Sequence, residues 1–454
     1  MDRYRHELVV RSALPVPAAE AFAWHARPGA FERLSPPWQD VRVVERSGDG
    51  IEDGARLVME LRAGPLRRRW VAVHSGYEPG RRFVDTQESG PFAAWRHTHT
   101  VEPDPADPAG ASVLEDHVEY TLPGGPAANA LGAPLARAQL ERLFAFRHAR
   151  TAADLERHAA SAGRPRLRVG ITGASGLVGA QLAAFLTTGG HEAVALRRTG
   201  DPASPGWDAA ALEGLDAVVH LAGEPIAQRW TPAAKERILA SRRDGTRRLA
   251  ESLAALAQPP RALVAASAIG IYGDRGDEEL PEAAARGAGF LADVVAEWEA
   301  ACAPAREKGI RVVNARLGVV LSPRGGALAK LLPPFLAGAG GPVGSGRQWV
   351  PWIGLDDVVG ALHALLMDDG VDGPVNVVAP QPVRSTELAR TLGRVLHRPS
   401  LVPVPAPAVG ALFGEMGRAT LLGSQRVVPA RLAAAGFPFL APDLETALRR
   451  ELGR

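Results

Sequence analysis

The pattern of apolar and polar positions changes character near residue 160. Before that point the alternation has period two: HELVVRSALPV (6–16), VRVVERS (41–47), ARLVMELR (55–62), RRWVAVHSGY (68–77), RRFVDTQES (81–89), AAWRHTHTVEP (93–103) and SVLEDHVEYTL (112–122). Such runs, punctuated by Gly, Pro and Asp, predict the strands of an antiparallel sheet with one buried face. PAAEAFAWHARPGAFERL (17–34) predicts short helical structure broken near Pro28-Gly29. Ala127 to Ala160 predicts a long helix, with Leu131, Leu135, Leu140, Leu143, Phe144 and Arg147 near helical spacing. A strand, short helices, a curved sheet and a long closing helix make an α+β unit.

From Leu167 apolar strands alternate with helices. LRVGIT, HEAVALRR (191–198), DAVVHLAG (216–223), RALVAASAIGIYG (261–273) and IRVVNARLGVVL (310–321) read as strands. A helix after Gly179, a long one over 231–256 and another over 293–309 separate them. Repeated βα units predict a parallel, doubly wound sheet, so the fold class is α/β preceded by an α+β domain. Beyond residue 320 the pattern loosens into PRGG and AGAGGPVGSGRQWVPW, followed by more helix and short strand. VPVPAPAV (402–409) is a Pro-rich connector into a small terminal region. The expected organisation is a first domain over 1–160, a linker over 161–166, a nucleotide-binding domain over 167–400 and a small terminal domain over 401–454.

Composition narrows the classes. At 454 residues two or three domains are expected, and a net charge of +2 argues against a nucleic-acid partner. Cys302 is the only cysteine, which excludes an intrachain disulfide and a cysteine metal cluster. MDRYRHELVV lacks the apolar core of a signal peptide, and no run approaches the ~20 apolar residues of a membrane span. A cytoplasmic protein is the resulting expectation, with its oligomeric state left open.

The strongest chemical signal is LRVGITGASGLVG (167–179). A strand, a glycine turn and a helix follow in the order that a dinucleotide pyrophosphate requires. Gly173 permits the turn, Gly176 the close approach of phosphate, and Gly179 the packing of helix on strand. Gly173, Ala174, Ser175, Gly176, Leu177, Val178 and Gly179 are the expected phosphate cradle, aided by the N–H groups and dipole of the helix. An NAD site places an acid at the end of the second strand. Here Arg197-Arg198 stand there instead, and a guanidinium suits a 2′-phosphate, so NADP(H) is the expected cofactor. Asp201 falls beyond that strand end. Leu221, Ala222 and Gly223, closing the third strand, are expected beside the cofactor, with Arg242 on the following helix.

Two family resemblances accompany these patterns. GPFAAWRHTHTVEP, EDHVEYTLPGG and LFAFRHARTAADL give residues 3–158 a resemblance to the START-like (SRPBCC) superfamily, whose sheet wraps a long helix around an apolar cavity. The resemblance implies an apolar small-molecule ligand there. TGASGLVG, HLAGEPIAQRW, SAIGIYGDRGDE, GVVLSPRGGALAKLLPPF, GGPVGSGRQWVPWIGLDD and PARLAAAGFPF together resemble the extended short-chain dehydrogenase/reductase superfamily. Within it they are most similar to the NAD-dependent epimerase/dehydratase-like "epimerase family protein" branch with its own small C-terminal domain.

That superfamily implies a Ser/Thr, a Tyr and a Lys four residues after the Tyr. Ser267 lies within a residue of the expected serine. The Tyr-x-x-x-Lys pair is missing: residues four before the three lysines, at 235, 308 and 330, are Thr231, Pro304 and Gly326. The segment where the pair belongs, 289–295, offers Phe or Leu and Val. Substitute proton-transfer candidates are Ser267, Tyr272 and Glu224. For the substrate, the loop Gly344–Trp352 offers Arg347, Gln348 and Trp352, with Arg316 ending a strand beside it. His97 and His99 share one strand face and His117 lies on another strand. They read as cavity-lining or surface histidines, and no metal is assigned. The expectation is an NADP(H)-dependent oxidoreductase or epimerase-like protein acting on a small carbonyl or hydroxyl substrate. The alternative is a non-catalytic NADP(H)-binding redox sensor or scaffold.

Overall fold

The period-two runs form one seven-stranded antiparallel sheet in a computed structural model that describes residues 5–48, 50–64, 66–199 and 206–454. In chain order the elements are β1 (His6–Leu14), α1 (Ala18–Ala26), α2 (Ala30–Leu34), β2 (Val41–Ser47), β3 (Arg56–Ala63), β4 (Leu66–Glu78), β5 (Arg82–Ser89), β6 (Ala94–Pro103), β7 (Ser112–Thr121) and α3 (Gly125–Ala159). The sheet order is β1-β7-β6-β5-β4-β3-β2. Along β7 buried residues alternate with half-buried ones without a break, so the pleat gives one face to the interior. The long helix α3 covers that face. Leu140 and Phe144 pack with Leu8, Trp95, Val118 and Tyr120, and Leu155 packs with Leu14, Phe22, Trp24 and Phe83. A fully buried bidentate pair, Arg33 with Asp154 at 2.7 Å through both nitrogens, ties α2 to α3.

Contacts divide the chain into two units. The first comprises Met1–Pro165 with Ala184–Gly190 and Gly453, and the second the remainder. The second begins with β8 (Arg168–Thr172), α4 (Leu177–Thr188), β9 (Glu192–Leu196), the short β10 (Arg198–Thr199) and β11 (Gly206–Trp207), α5 (Ala209–Leu212), β12 (Ala217–His220) and α6 (Pro232–Ala254). It continues with β13 (Ala262–Ala268), β14 (Glu279–Leu280), α7 (Phe290–Ala300), α8 (Ala303–Glu307), β15 (Arg311–Leu317), β16 (Val319–Leu321), α9 (Gly326–Leu336), β17 (Trp349–Val350), β18 (Trp352–Gly354), α10 (Leu355–Met367) and β19 (Gly373–Val377). The single helix expected over 293–309 is two, separated just before Pro304, whose ring cannot continue an α-helix interior.

Six strands form a parallel sheet in the order β19-β15-β13-β12-β8-β9. Its sixth strand, β19, lies in the stretch where the sequence pattern had loosened. Pro374 interrupts that strand, and an edge position is where a sheet tolerates proline. The strand order reverses between β8 and β12. In open parallel sheets ligands bind outside the carboxyl ends of the strands at such a reversal. No helix among the described residues is long and apolar enough to cross a membrane.

Candidate functional site

The glycine turn occupies that reversal. Gly173 has φ +69°, a left-handed conformation costly for any residue with a Cβ, and its carbonyl oxygen accepts from the Gly176 N–H across the turn at 2.9 Å. A Cβ on Gly173 would stand 3.1 Å from Leu221 and Ala222, so the loop after β12 closes directly on the turn. A Cβ on Gly179 would lie 2.2 Å from the Gly173 carbonyl oxygen, which leaves glycine as the residue that fits between helix and turn. Ser175 and Gly176 are exposed at the start of α4, with Ala174, Leu177 and Val178 half-buried around them.

Thr172 and His220 lock the two strand ends together. Thr172 Oγ1 accepts hydrogen bonds from the backbone N–H of Leu221 (3.1 Å) and Ala222 (3.2 Å), so its own proton goes to His220 Nδ1 at 2.7 Å. His220 Nε2 then donates to Thr246 Oγ1 on α6 at 3.0 Å. This arrangement requires a neutral imidazole with its proton on Nε2. Burial, and secondarily the charge of Arg198, lower its pKa to about 4. His220 therefore positions the loop that borders the turn.

The second strand ends at Leu196, two residues before the expected boundary; Arg197, just past it, and Arg198, which opens β10, are both exposed and pair with no carboxylate among the described residues. Asp201, the carboxylate beyond the strand end, lies outside the described residues. Arg242 lies over Gly223, its guanidinium carbon 3.4 Å from where a Cβ would be. It donates to the Glu224 carbonyl (2.9 Å) and lies over the Trp298 ring at 5.0 Å. Turn, helix start, exposed guanidiniums and the loop Leu221–Gly223 together fit a dinucleotide, with anion donors at the turn and cations beyond the second strand.

The proton-transfer candidates are placed differently from expectation. Ser267 is buried and its Oγ donates to Glu299 Oε1 at 2.6 Å. Glu299 also takes a bidentate pair from Arg316 (2.8 and 2.9 Å). Arg316 donates further to Tyr272 Oη at 2.9 Å, and Tyr272, fully buried, donates to Asn376 Oδ1 at 2.7 Å. Burial, partly offset by Arg316, raises the Tyr272 pKa. Ser267, Tyr272 and Arg316 thus belong to one internal network. A guanidinium inside a fold needs a carboxylate and hydrogen-bond acceptors, and Glu299, Tyr272 and the Glu282 carbonyl (3.2 Å) provide them. Glu224 is the half-exposed member of the candidate set, its carboxylate accepting from Gln228 Nε2 at 3.0 Å. In the segment 289–295, where the resemblance implies the Tyr and Lys, the four-residue spacing falls on Phe290 and Val294 or on Leu291 and Val295, all on α7. Leu291 packs on Gly270, and Val295 lies with Ile269, Ile271 and Tyr272.

The loop over 344–352 is likewise part of the framework. Trp352 is fully buried among Leu321, Leu392 and Leu448, and its Nε1 donates to the Gln381 carbonyl at 3.0 Å, so it offers no stacking face. Gln348 is buried and binds the carbonyls of Val343 (2.9 Å) and Leu421 (2.8 Å). Arg347 is exposed. The aromatic that stays half-exposed is Trp349, with Arg384 4.1 Å and Arg426 5.2 Å from its ring centre. Period two along so short a strand gave no signal for choosing Trp349 over Trp352.

Comparison with known proteins fits this geometry. Residues 169–378 match the NAD dependent epimerase/dehydratase family, residues 14–146 match polyketide cyclase / dehydrase and lipid transport, and residues 404–451 match a domain of unknown function, DUF1731. An epimerase family protein of Mycobacterium tuberculosis is 41% identical over 281 residues, covering 60% of this chain and 93% of its own. The chain belongs to the epimerase family. Human epimerase family protein SDR39U1 is 37% identical over 292 residues, 62% of this chain and 99% of its own. Among solved structures, a nucleoside-diphosphate sugar epimerase from Corynebacterium glutamicum superposes with TM-score 0.79 at 34% identity. It covers 98% of this chain and 90% of its own, so it spans both units of this epimerase-family protein. Human SDR39U1 (isoform2) with NADPH superposes with TM-score 0.59 at 34% identity, over 63% of this chain and 99% of its own.

Proposed function

We propose that this epimerase-family chain binds NADP(H) in preference to NAD(H), and holds it without the phenol–ammonium proton transfer of the wider superfamily. The observation that carries the first half is the exposed pair Arg197 and Arg198. It stands just past β9, paired with no carboxylate among the described residues, beside a glycine turn closed by Leu221 and Ala222. A 2′-phosphate dianion offers bidentate geometry to such guanidiniums, whereas a bare ribose hydroxyl calls for an acid. The relative solved with NADPH supports the same cofactor. The bound dinucleotide would supply a hydride donor or acceptor, while this chain's residues bind and orient it.

The second half rests on Leu291 and Val295. Positioned acid–base groups contribute about 10²–10⁴-fold to such reactions. Here apolar side chains stand where those groups belong, and Ser267 and Tyr272 are committed to Glu299, Arg316 and Asn376. A cofactor-holding sensor or scaffold is the reading these contacts favour. One observation favours the other reading, an oxidoreductase or epimerase-like enzyme for a small carbonyl or hydroxyl compound: Glu224 keeps a half-exposed carboxylate directly after the cofactor loop. A cytoplasmic location belongs to both readings.

Fluorescence titration with NADPH and NADH tests the cofactor. NADPH is expected to bind at least tenfold tighter, with the preference lost in an Arg197→Ala/Arg198→Ala variant. Equal affinities in the unmodified chain would overturn it. Incubating the NADPH-loaded protein with a panel of aldehydes, ketones and sugar nucleotides separates the two readings. Oxidation that Glu224→Gln abolishes would establish the enzyme and refute the sensor.

A further inference from the structure

The interior of the first unit gathers imidazoles and carboxylates from β5, β6, β7 and α3, with the buried His25 of α1 beside them, its ring centre 6.2 Å from that of His99. Asp85 lies on β5 directly opposite His97 on β6, and His99, two residues on along the same face, lies opposite Asp116 on β7. α3 adds His148. His117, grouped with these histidines by sequence, points to the other sheet face and pairs with Glu7 at 2.6 Å, because adjacent strand residues face opposite ways. His97, His99, Asp116 and His148 are all buried.

The two rings bridge the same two carboxylates in opposite senses. One nitrogen of each faces Asp85: His97 Nδ1 is 2.8 Å and His99 Nε2 3.5 Å from Asp85 Oδ2. The other nitrogen of each lies close to a single oxygen of Asp116, His97 Nε2 at 3.1 Å and His99 Nδ1 at 2.7 Å, as ion-pair contacts without hydrogen-bond alignment. The second oxygen of Asp116 is held by His148 Nε2 at 3.0 Å, and His148 Nδ1 is in turn 2.9 Å from Ser12 Oγ. From these contacts we infer a site for a divalent first-row transition metal, with Asp85, His97 and His99 as its ligands and Asp116 as the carboxylate that orients both imidazoles.

The chemistry of the donors selects the ion. Two imidazoles and one carboxylate suit Zn²⁺, Co²⁺, Mn²⁺ or Fe²⁺, and three protein ligands leave a position open. A carboxylate behind each metal-bound imidazole fixes the ring and its tautomer. Candidate ligand atoms lie within 4.8 Å of one another, against about 3.4 Å for ligands around a tetrahedral ion with bonds near 2.1 Å, so side-chain adjustments of roughly 1 Å close the site.

Equilibrium dialysis of the chelator-stripped full chain against Zn²⁺ alone, with elemental analysis, tests the site. One Zn²⁺ per chain is expected, with affinity falling at least 100-fold in His99→Ala and about 10- to 100-fold in Asp116→Asn. NADPH binding by each variant checks its second unit, and far-ultraviolet circular dichroism checks its sheet. Where a variant fails to fold, Co²⁺ added to the unmodified chain is read by NMR. Paramagnetic effects are expected on the His97 and His99 resonances and not on His220. Absence of stoichiometric binding, binding undiminished in His99→Ala, or effects confined to other histidines would mean an ion-pair network only and overturn the site. None of these outcomes depends on the cofactor of the second unit.

Discussion

Acidification between pH 6.5 and 4 is expected to loosen the nucleotide-binding unit at one identifiable point, His220. Its Nδ1 must accept, because the Thr172 hydroxyl oxygen already takes two backbone N–H groups and has only its proton to give. Protonating Nδ1 sets a donor against that donor in a fully buried position, and the folded-state pKa falls to about 4. An unfolded histidine titrates near 6.5, so the unfolded chain takes up this proton first. The stabilisation is complete above about pH 6.5 and is lost as pH falls towards 4, reaching about 2.5 kcal/mol at pH 4.5. His220→Gln keeps a donor near the Nε2 position and removes the titration. The assay is denaturant unfolding at pH 7 and pH 4.5, following the transition that NADPH shifts upward, since a ligand stabilises the unit that binds it. The wild type is expected to lose about 2.5 kcal/mol more than the variant between the two pH values. Selective labelling of the 12 histidines adds a direct reading: the resonance missing in His220→Gln stays neutral and Nε2-protonated at pH 5.5. Titration of that resonance near pH 6.5, or a proton on Nδ1, would refute the reasoning.

Other perturbations test separate links. Gly179→Ala pushes a methyl group to 2.2 Å from the Gly173 carbonyl and is expected to reduce NADPH affinity at least tenfold, read by fluorescence titration; unchanged affinity would contradict the tight turn. Asp154→Asn removes the charge facing the fully buried Arg33 and is expected to destabilise the first unit by about 3–5 kcal/mol in denaturant unfolding, leaving the NADPH-sensitive transition in place. Leu291→Tyr/Val295→Lys restores the superfamily's residue types, yet it places an ammonium in an apolar cluster with Ile269, Ile271 and Tyr272. A stability loss of about 3 kcal/mol or more is expected without gain of carbonyl reduction; a stable, active variant would reverse this conclusion.

Backbone-defined features were legible in the sequence and side-chain networks were not. Gly173 and Gly179 announce themselves because a left-handed turn and a close helix approach exclude other residues. The alternation in SVLEDHVEYTL marks a half-buried strand for the same local reason. Arg316, by contrast, reads as a cleft residue until its carboxylate is found on α7, 17 residues earlier in the chain. Trp352 reads as a stacking face until β18 carries it into the core. The His97–His99 spacing was visible, but their partners come from β5, β7 and α3, and register between strands sets those meetings. The short strand expected beyond residue 320 has no assigned position, because five residues carrying Pro374 show too little alternation to place it; the structure puts it at the sheet edge as β19.

The two halves of the superfamily's site differ in what can erase them. Anion binding at the turn uses backbone N–H groups and glycine geometry, so it persists while the chain keeps its path from β8 into α4. Proton transfer uses two side chains one helical turn apart, and changing them leaves that path intact. In this chain the change has an evident packing gain. Leu291 covers Gly270, and Val295 joins the apolar cluster that carries Tyr272, whose hydroxyl is satisfied by Arg316 and Asn376. Reverting the positions would have to break that packing and free Tyr272 and Ser267 from Glu299, Arg316 and Asn376. On the proposed reading, substitutions near the turn act through cofactor affinity, because these side chains are already committed to one another.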